Sequence, residues 1–478
     1  MTTAWSTGPS GTRLPDGFTV RLADDVHRSR DGRLLLGGSP PRLLRLGRRA
    51  AHLLARGEFT VSGPGTAELA RRLLDAGVTN PRPAGVPVTG TTVVIPVRDR
   101  IDMLERLLTA LRDDRQTADL PVVVVDDGSR DPLRLSAVAR RLGARVLRHE
   151  RSRGPAAARN TGLRGCVTRF VAFVDSDVVP LPGWLGPLLA QFQDPAVGLA
   201  APRVVALRPP GRNWLARFDE TCSPLDMGQE EGLVAPLSRL SYVPSTAIVV
   251  RREAVEGFAA DMRVGEDVDL CLRMHAAGWR LRYVPTARVA HEHRTDVRRW
   301  MAQRACYGTS AAPLALRHPG QVPPLHAAPW SLAAAALLVD RRSAPLAVVL
   351  VAFAAARLAR RMPDADAPAR AATLLALGGV HGTVRQLVRA AMRHHWPISV
   401  VAALVSRRAR RALVAAAVVD GLLDHRTSGS SLHPVAHVLV RRLDDLCYGA
   451  GLWWGAVRHR AVAPLLPRLA RRPGARDR

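Results

Sequence analysis

A chain of 478 residues is too long for one ordinary domain and long enough to bury two or three cores. The 69 basic residues outweigh 41 acidic ones by 28, but Lys is absent and Asn occurs only at Asn80, Asn160 and Asn213, so the excess reads as the arginine bias of a GC-rich coding sequence. The sparse aromatics do not interleave with the arginines into a base-stacking platform, which argues against nucleic acid as a partner and leaves a solvated basic surface or one facing anionic lipid. Five scattered cysteines (Cys166, Cys222, Cys271, Cys306, Cys447) with no C-x-x-C pair predict reduced thiols in a cytosolic protein. The polar stretch from Met1 to Pro15 lacks the apolar segment of a signal peptide, so the chain is expected to start on the cytoplasmic side.

Residues 1–88 form a first zone. A polar entry, Leu14-Pro15-Asp16-Gly17-Phe18, leads to short apolar pairs and two helix-like stretches, Pro41 to Arg56 and Thr66 to Ala76. The Pro/Gly-rich link Asn80 to Pro87 closes it. The pattern suits a small α+β module of winged-helix type.

Over residues 91–310 apolar runs alternate with helical segments, as a largely parallel α/β sheet requires. Strands are predicted at 92–97, 121–125, 144–148, 168–174, 197–206, 242–250 and 279–290. Helices are predicted near 102–113, 132–142, 155–164, 184–193, 266–277 and 296–309. The run Val122 to Val125 is apolar on both faces, so helices must cover it.

Residues 320–478 are Ala/Leu/Val-rich and helical, with arginine clusters at Arg341-Arg342, Arg360-Arg361 and Arg407 to Arg411. The most apolar stretch, Ser343 to Ala356, holds 14 uncharged residues, fewer than the roughly 18–20 that span a bilayer. Two readings stand side by side: short apolar helices edged with arginine lying on a membrane surface, or a water-soluble helical bundle.

The candidate chemistry follows the strand ends. Val93-Val94-Ile95-Pro96-Val97-Arg98-Asp99-Arg100 and Val122-Val123-Val124-Val125-Asp126-Asp127-Gly128-Ser129 are buried strands that turn polar at a carboxyl edge, where ligands of open α/β sheets lie. One of these carboxylates suits the N3–H of a uracil ring; an Asp-Gly-Ser turn explains either acid alone. Phe173-Val174-Asp175-Ser176-Asp177 ends a further strand in two carboxylates one residue apart. Beside a diphosphate these would repel their ligand unless Mg2+ or Mn2+ lay between them, and hard oxygen donors are what such ions prefer. Gly154 to Gly162 opens a small-residue helix whose N-terminus and Arg159 suit an anion, although close packing through alanines explains the same pattern.

Glu266 and Asp267, at the start of a helix whose positive dipole end favours ionisation, are candidates for the base and the group that orients it. Asp269 is read as a cap. His291 and His293 follow the last strand, and His291 is the better candidate for a third metal ligand or a phosphate contact.

These motifs resemble the family 2 glycosyltransferases of GT-A fold, over roughly Thr92 to Gly308. The resemblance implies a nucleotide-diphospho-sugar transferase with Asp127 at the base, Asp175 and Asp177 as the D-x-D (Asp177 on the metal, Asp175 nearer the ribose) and Glu266-Asp267 as the E-D site. Pro96, Arg98 and Arg159 join the donor-binding set. One base and one metal-bound leaving group imply single displacement with inversion.

The front module, Pro244 to Arg252, the Gly265 to Leu270 stretch and the Ala/Arg-rich tail further resemble the glycosyltransferases of mycofactocin biosynthesis. That resemblance implies a UDP-sugar donor, UDP-glucose foremost. It also implies a mycofactocin or precursor peptide acceptor, with the front module a candidate peptide-binding domain. Two departures stand out. Arg98 replaces an aromatic common near the base, and Asp296 precedes Arg299-Trp300 where processive synthases carry Gln or Arg. A relative acting on a lipid or cell-wall acceptor and a non-catalytic membrane scaffold are the competing readings.

Overall fold

The computed structural model describes residues 12–207, 213–362 and 367–469. The chain divides into two compact units, the first ending at His27 and resuming over Leu35–Arg294, the second taking Arg28–Leu34 and the chain from Thr295.

The front of the first unit is a small α+β module. Its strands are β1 (Thr19–Leu22), β2 (His27–Arg28), β3 (Leu34–Gly37), β4 (Arg42–Arg45), β5 (Glu58–Thr60) and β6 (Thr79–Pro81), with helices α1 (Arg48–Leu53) and α2 (Pro64–Asp75). β1 lies antiparallel between β5 and β6. α2 turns Ala67, Ala70, Leu73 and Leu74 inward at helical spacing, against Phe18, Val20, Leu35 and Phe59. The helix expected over Pro41 to Arg56 is half strand: Arg42–Arg45 pairs in a sheet and only Arg48–Leu53 coils, because Gly47, in extended backbone, divides the leucine run. Arg280 bonds Asp75 at 2.7 Å, and Arg282 donates to Asn80 Oδ1 at 2.7 Å, fixing this module to the main sheet.

That sheet contains β7 (Thr91–Val97), β8 (Val122–Asp127), β9 (Ala144–His149), β10 (Phe170–Val174), β11 (Val178–Pro180), β12 (Val197–Ala206), β13 (Gly232–Val234), β14 (Ala247–Arg251) and β15 (Arg280–His291). They lie in the order β11-β15-β12-β14-β10-β7-β8-β9, with β13 on β15. Its helices are α3 (Ile101–Asp113), α4 (Pro132–Arg141), α5 (Pro155–Arg164), α6 (Leu185–Ala190), α7 (Trp214–Cys222) and α8 (Glu266–Ala276). Alternation along β7 sends Val93, Ile95 and Val97 to one apolar layer with Leu104, Leu107 and Leu188, and Val94 to the other with Ala158, Phe173 and Leu270.

The expectation of a largely parallel sheet holds from β9 to β10. Beyond it the sheet is mixed: β14 runs antiparallel to both β10 and β12, and β11 and β13 run antiparallel to β15. A strand buried on both faces has the same composition in either direction, so its sequence does not state its direction. The β11 and β13 strands and the α7 helix were not expected; three-residue strands carry too little pattern to read.

The second unit carries α9 (Val297–Thr309), α10 (Ala311–Arg317), α11 (Pro329–Leu337), α12 (Ala344–Ala359), α13 (Pro368–Arg389), α14 (Trp396–Val405), α15 (Arg407–Ser428) and α16 (Pro434–Arg458). The α9 and α16 backbones meet through glycines: a Cβ on Gly451 would strike the Ala305 carbonyl, and one on Gly308 the Tyr448 carbonyl. No described helix is long and apolar enough to cross a membrane.

Candidate active site

Sheet register builds the first cluster. β10 ends at Val174, and Asp175 donates its N–H to the Thr246 carbonyl at 2.9 Å just before β14. β11 then pairs Val178 with His291, and Glu292 N–H reaches the Asp177 carbonyl at 3.0 Å. The strand pairing therefore places the Asp177 carboxylate beside the His291 ring, 3.5 Å from Nε2. Arg100, from the turn after β7, pairs with the same oxygen. Burial opposes ionisation of Asp177, yet His291 and Arg100 outweigh it and hold the carboxyl well below its usual range. Asp175 goes the other way: burial, reinforced by the charge of Asp177, raises it against the pull of Arg159. Two carboxyls one residue apart thus hold protons of different strength.

Arg159 joins this cluster to the next. It lies on α5, 2 % exposed, with Nη2 2.6 Å from Asp175 Oδ1 and Nη1 2.9 Å from Glu266 Oε1. Burial would lower its pKa, but the two carboxylates raise it and keep the guanidinium charged. Its stem is set by the Ala156, Ala157 and Ala158 face of α5, which packs on the sheet so closely that a Cβ at Gly162 would strike Val94. The packing reading of the small-residue helix therefore holds, and the arginine is positioned by it.

Glu266 and Asp267 open α8 after Gly265, whose φ of +84° is the left-handed conformation that turns the chain into the helix. Asp267 accepts the Val268 N–H at 2.8 Å and a backbone bond from Ser245. Its pKa is nevertheless raised to about 7, first by burial and then by the adjacent charge of Glu266. The helix dipole was expected to favour ionisation; desolvation and like charge are larger here. Asp269 does not cap the helix but pairs with Arg273 at 2.8 Å, one turn on.

At the other candidate edge Asp127 is 5 % exposed, and both its oxygens are used by its own chain. Oδ1 meets His149 Nδ1 at 2.7 Å and Arg153 N–H at 2.8 Å; Oδ2 accepts from Ser152 Oγ at 2.7 Å and Gly154 N–H at 2.9 Å. Burial opposes these donors, which prevail and lower its pKa. Asp126 accepts the Ser129 N–H at 2.8 Å and pairs with Arg148, closing the turn after β8. Pro96 is buried within β7, while Arg98, beyond its end, is exposed and donates to Ser152 Oγ at 3.2 Å. The Asp127 group, at the end of β8, and the Asp175 group, after β10, thus lie on either side of β7, and only the latter is linked to Glu266.

Residues 92–258 match Glycosyl transferase family 2. The chain is 47 % identical over 474 residues to the Pre-mycofactocin glycosyltransferase of Mycobacterium tuberculosis, covering 96 % of this chain and 99 % of that one. The chain belongs to the pre-mycofactocin glycosyltransferases. It is a glycosyltransferase of the mycofactocin pathway, and its mixed sheet with flanking helices is the GT-A fold of its family. It is also 29 % identical to the succinoglycan biosynthesis protein ExoU of Rhizobium meliloti over 41 % of this chain and 60 % of that one. Among solved structures, a Pyrobaculum calidifontis mannosyltransferase in complex with GDP-Man and Mn2+ aligns with a TM-score of 0.38 at 21 % identity, over 75 % of this chain and 89 % of that one.

The family 2 match ends at Phe258, ahead of the Glu266-Asp267 pair of this pre-mycofactocin family member. Several of its contact residues carry no site role in the sequence reading: Arg100 on Asp177, the backbone of Ser245 and Thr246 between the two acidic clusters, His149 on Asp127, and Phe258 under Arg159 at 5.3 Å. Only Ser245 and Thr246 carried a signal, as small polar residues just before an apolar strand. Asn160 secures Phe258 through both backbone groups, at 2.7 and 2.8 Å.

Proposed function

We propose that this family member is a metal-dependent, inverting hexosyltransferase that moves glucose from UDP-glucose to a hydroxyl of mycofactocin or its peptide-derived precursor. The observation that carries the reading is the Arg159 bridge, which holds Asp175 of the D-x-D and Glu266 of the E-D pair by the same guanidinium. It ties the proposed leaving-group site to the proposed base site.

Two donors suited to a hard divalent ion converge: Asp177 Oδ2 and His291 Nε2 lie 3.5 Å apart. Among the described residues no third carboxylate or imidazole joins them in a compact cluster, so the remaining ligands would come from the diphosphate and water. In this reading Asp177 and His291 hold Mg2+ or Mn2+, and Asp175 faces the ribose. When bound, the ion supplies positive charge opposite the departing diphosphate. Arg100, already on Asp177, adds a second cation there, and Arg159 holds Asp175 and Glu266 in place. Asp267, with a pKa of about 7, takes the proton of the acceptor hydroxyl as it attacks the anomeric carbon. With one base and no protein nucleophile in the set, the configuration at that carbon inverts. Asp127 orders the loop from His149 to Gly154 against which the base of the donor lies.

The deciding experiment incubates the full chain with UDP-glucose, Mn2+ and a tyrosine-valine-derived acceptor, and reads the products by mass spectrometry and the anomeric configuration by NMR. The expected product carries added hexose of inverted configuration, formed only without chelator. Unchanged acceptor with folded enzyme, a retained configuration, or full activity in Asp267→Asn would each refute the reading.

A further inference from the structure

We propose that the helices of the second unit dock on the surface of an anionic lipid bilayer without crossing it. Two short helices present large apolar side chains outward. On α12, Leu346, Val349 and Phe353 recur at helical spacing on one exposed face, and only Ala347 and Ala355 of that helix are buried. On α14 no residue is buried, and Val401, Leu404 and Val405 are exposed, the last two at 77 % and 83 %. A water-facing helix keeps its polar side outward, and exposed apolar faces of this kind mark an interaction site.

Charge selects the occupant. Between Arg341 and Val419 the sequence holds 13 arginines against two acids, Asp364 and Asp366. The arginines cluster at helix ends: Arg341-Arg342 before α12, Arg360-Arg361 after it, and Arg407, Arg408, Arg410 and Arg411 after α14. An apolar face bordered by cations matches acyl chains bordered by anionic headgroups. A second copy of this chain would set those arginines against their equivalents.

Length decides the orientation. At 1.5 Å per residue, the 16 residues of α12 and the 10 of α14 reach about 24 and 15 Å, short of the roughly 30 Å hydrocarbon core. No other described helix is long and apolar enough to cross. The helices therefore lie in the interface, with their arginines at headgroup level.

The test is co-sedimentation of the full chain with vesicles of phosphatidylcholine alone and with one quarter phosphatidylglycerol. Binding to the anionic vesicles at least tenfold above the neutral ones, weakened by salt, is expected. Arg407→Gln with Arg408→Gln should weaken it about fivefold per residue. Phe353→Glu with Leu404→Glu should abolish it while leaving sugar transfer to a water-soluble acceptor unchanged. Circular dichroism checks that each variant is folded, and the wild-type comparison stands if one is not. Absence of vesicle binding, equal binding to both compositions, or dimerisation in analytical ultracentrifugation that the apolar variants disrupt in place of vesicle binding would each overturn the proposal.

Discussion

Both units bury ion pairs, but they differ in where their large apolar side chains lie. In the first, two apolar layers sandwich the sheet, and the candidate carboxylates Asp127 and Asp175 sit at strand ends where the layers stop. In the second, ion pairs lie inside: Arg304 with Asp444 at 2.8 Å, Arg442 with Asp420 at 2.8 Å and with Asp445 at 3.2 Å, all four partners other than Arg442 being buried. Many of its leucines and valines, Leu346, Val349, Leu404 and Val405 among them, face outward, while alanines and a few leucines such as Leu314 and Leu452 are buried. Apolar burial positions the site of the first unit, whereas glycine contacts and paired charges hold the second. The same kind of substitution should therefore have different consequences in the two.

The largest effect is expected at Asp267. Replacing it with Asn removes the proposed base and should lower kcat by about 10²–10⁴-fold, measured with saturating donor. For the wild type, kcat/KM should rise with pH until about 7, where Asp267 ionises. Stability moves the other way. The folded carboxyl keeps its proton to about pH 7, while the unfolded one releases it near 4, so between those values the folded chain binds more protons and loses stability as pH rises. Asp267→Asn should lack that decline, and melt higher than the wild type at pH 8. A base that is cheap to bury would show neither change.

Arg159 comes next. Arg159→Met leaves Glu266 buried and Asp175 half-buried without their cation, a loss of about 3 kcal/mol by chemical denaturation. Arg159→Lys keeps the charge but not the two-pronged geometry, and should recover part of the stability and little of the activity. Equal behaviour of the two variants would show that charge alone matters there.

Much of the first unit is legible because hydrophobic runs and their ends are local signals. The strands at 91–97, 122–127 and 197–206 and the helices at 101–113, 155–164 and 266–276 lie within a residue or two of their predicted limits. The candidate residues also stand out as acids ending apolar runs. What the sequence leaves silent is long-range or energetic. The direction of β14 depends on its neighbours, and the Arg159–Glu266 bond joins residues 107 positions apart. The elevated pKa of Asp267 depends on burial that no local pattern records. Asp127 shows the limit clearly: its place at a strand end is readable, but its four hydrogen-bond partners come from the strand and loop that follow.

In the second unit the critical side chain is the one that is missing. Gly451→Val would force α16 away from the Ala305 carbonyl and should cost about 1–3 kcal/mol, read as a lower melting temperature, with Gly451→Ala milder. The spacing of Gly451 and Gly455 on one helix face is visible in the sequence, but the partner helix it admits is not.

The smallest effect should come at a large hydrophobic residue that faces solvent. Leu404→Ser removes an apolar side chain that is 77 % exposed, so folding in water loses little burial and stability should stay within about 0.5 kcal/mol of the wild type. In the catalytic layers, Leu107→Ala removes a fully buried side chain and should cost about 2–5 kcal/mol. Chemical denaturation of both variants compares the units directly. If the two costs were similar, Leu404 would be buried in solution, and the outward apolar face would already be covered by another surface before any membrane is present.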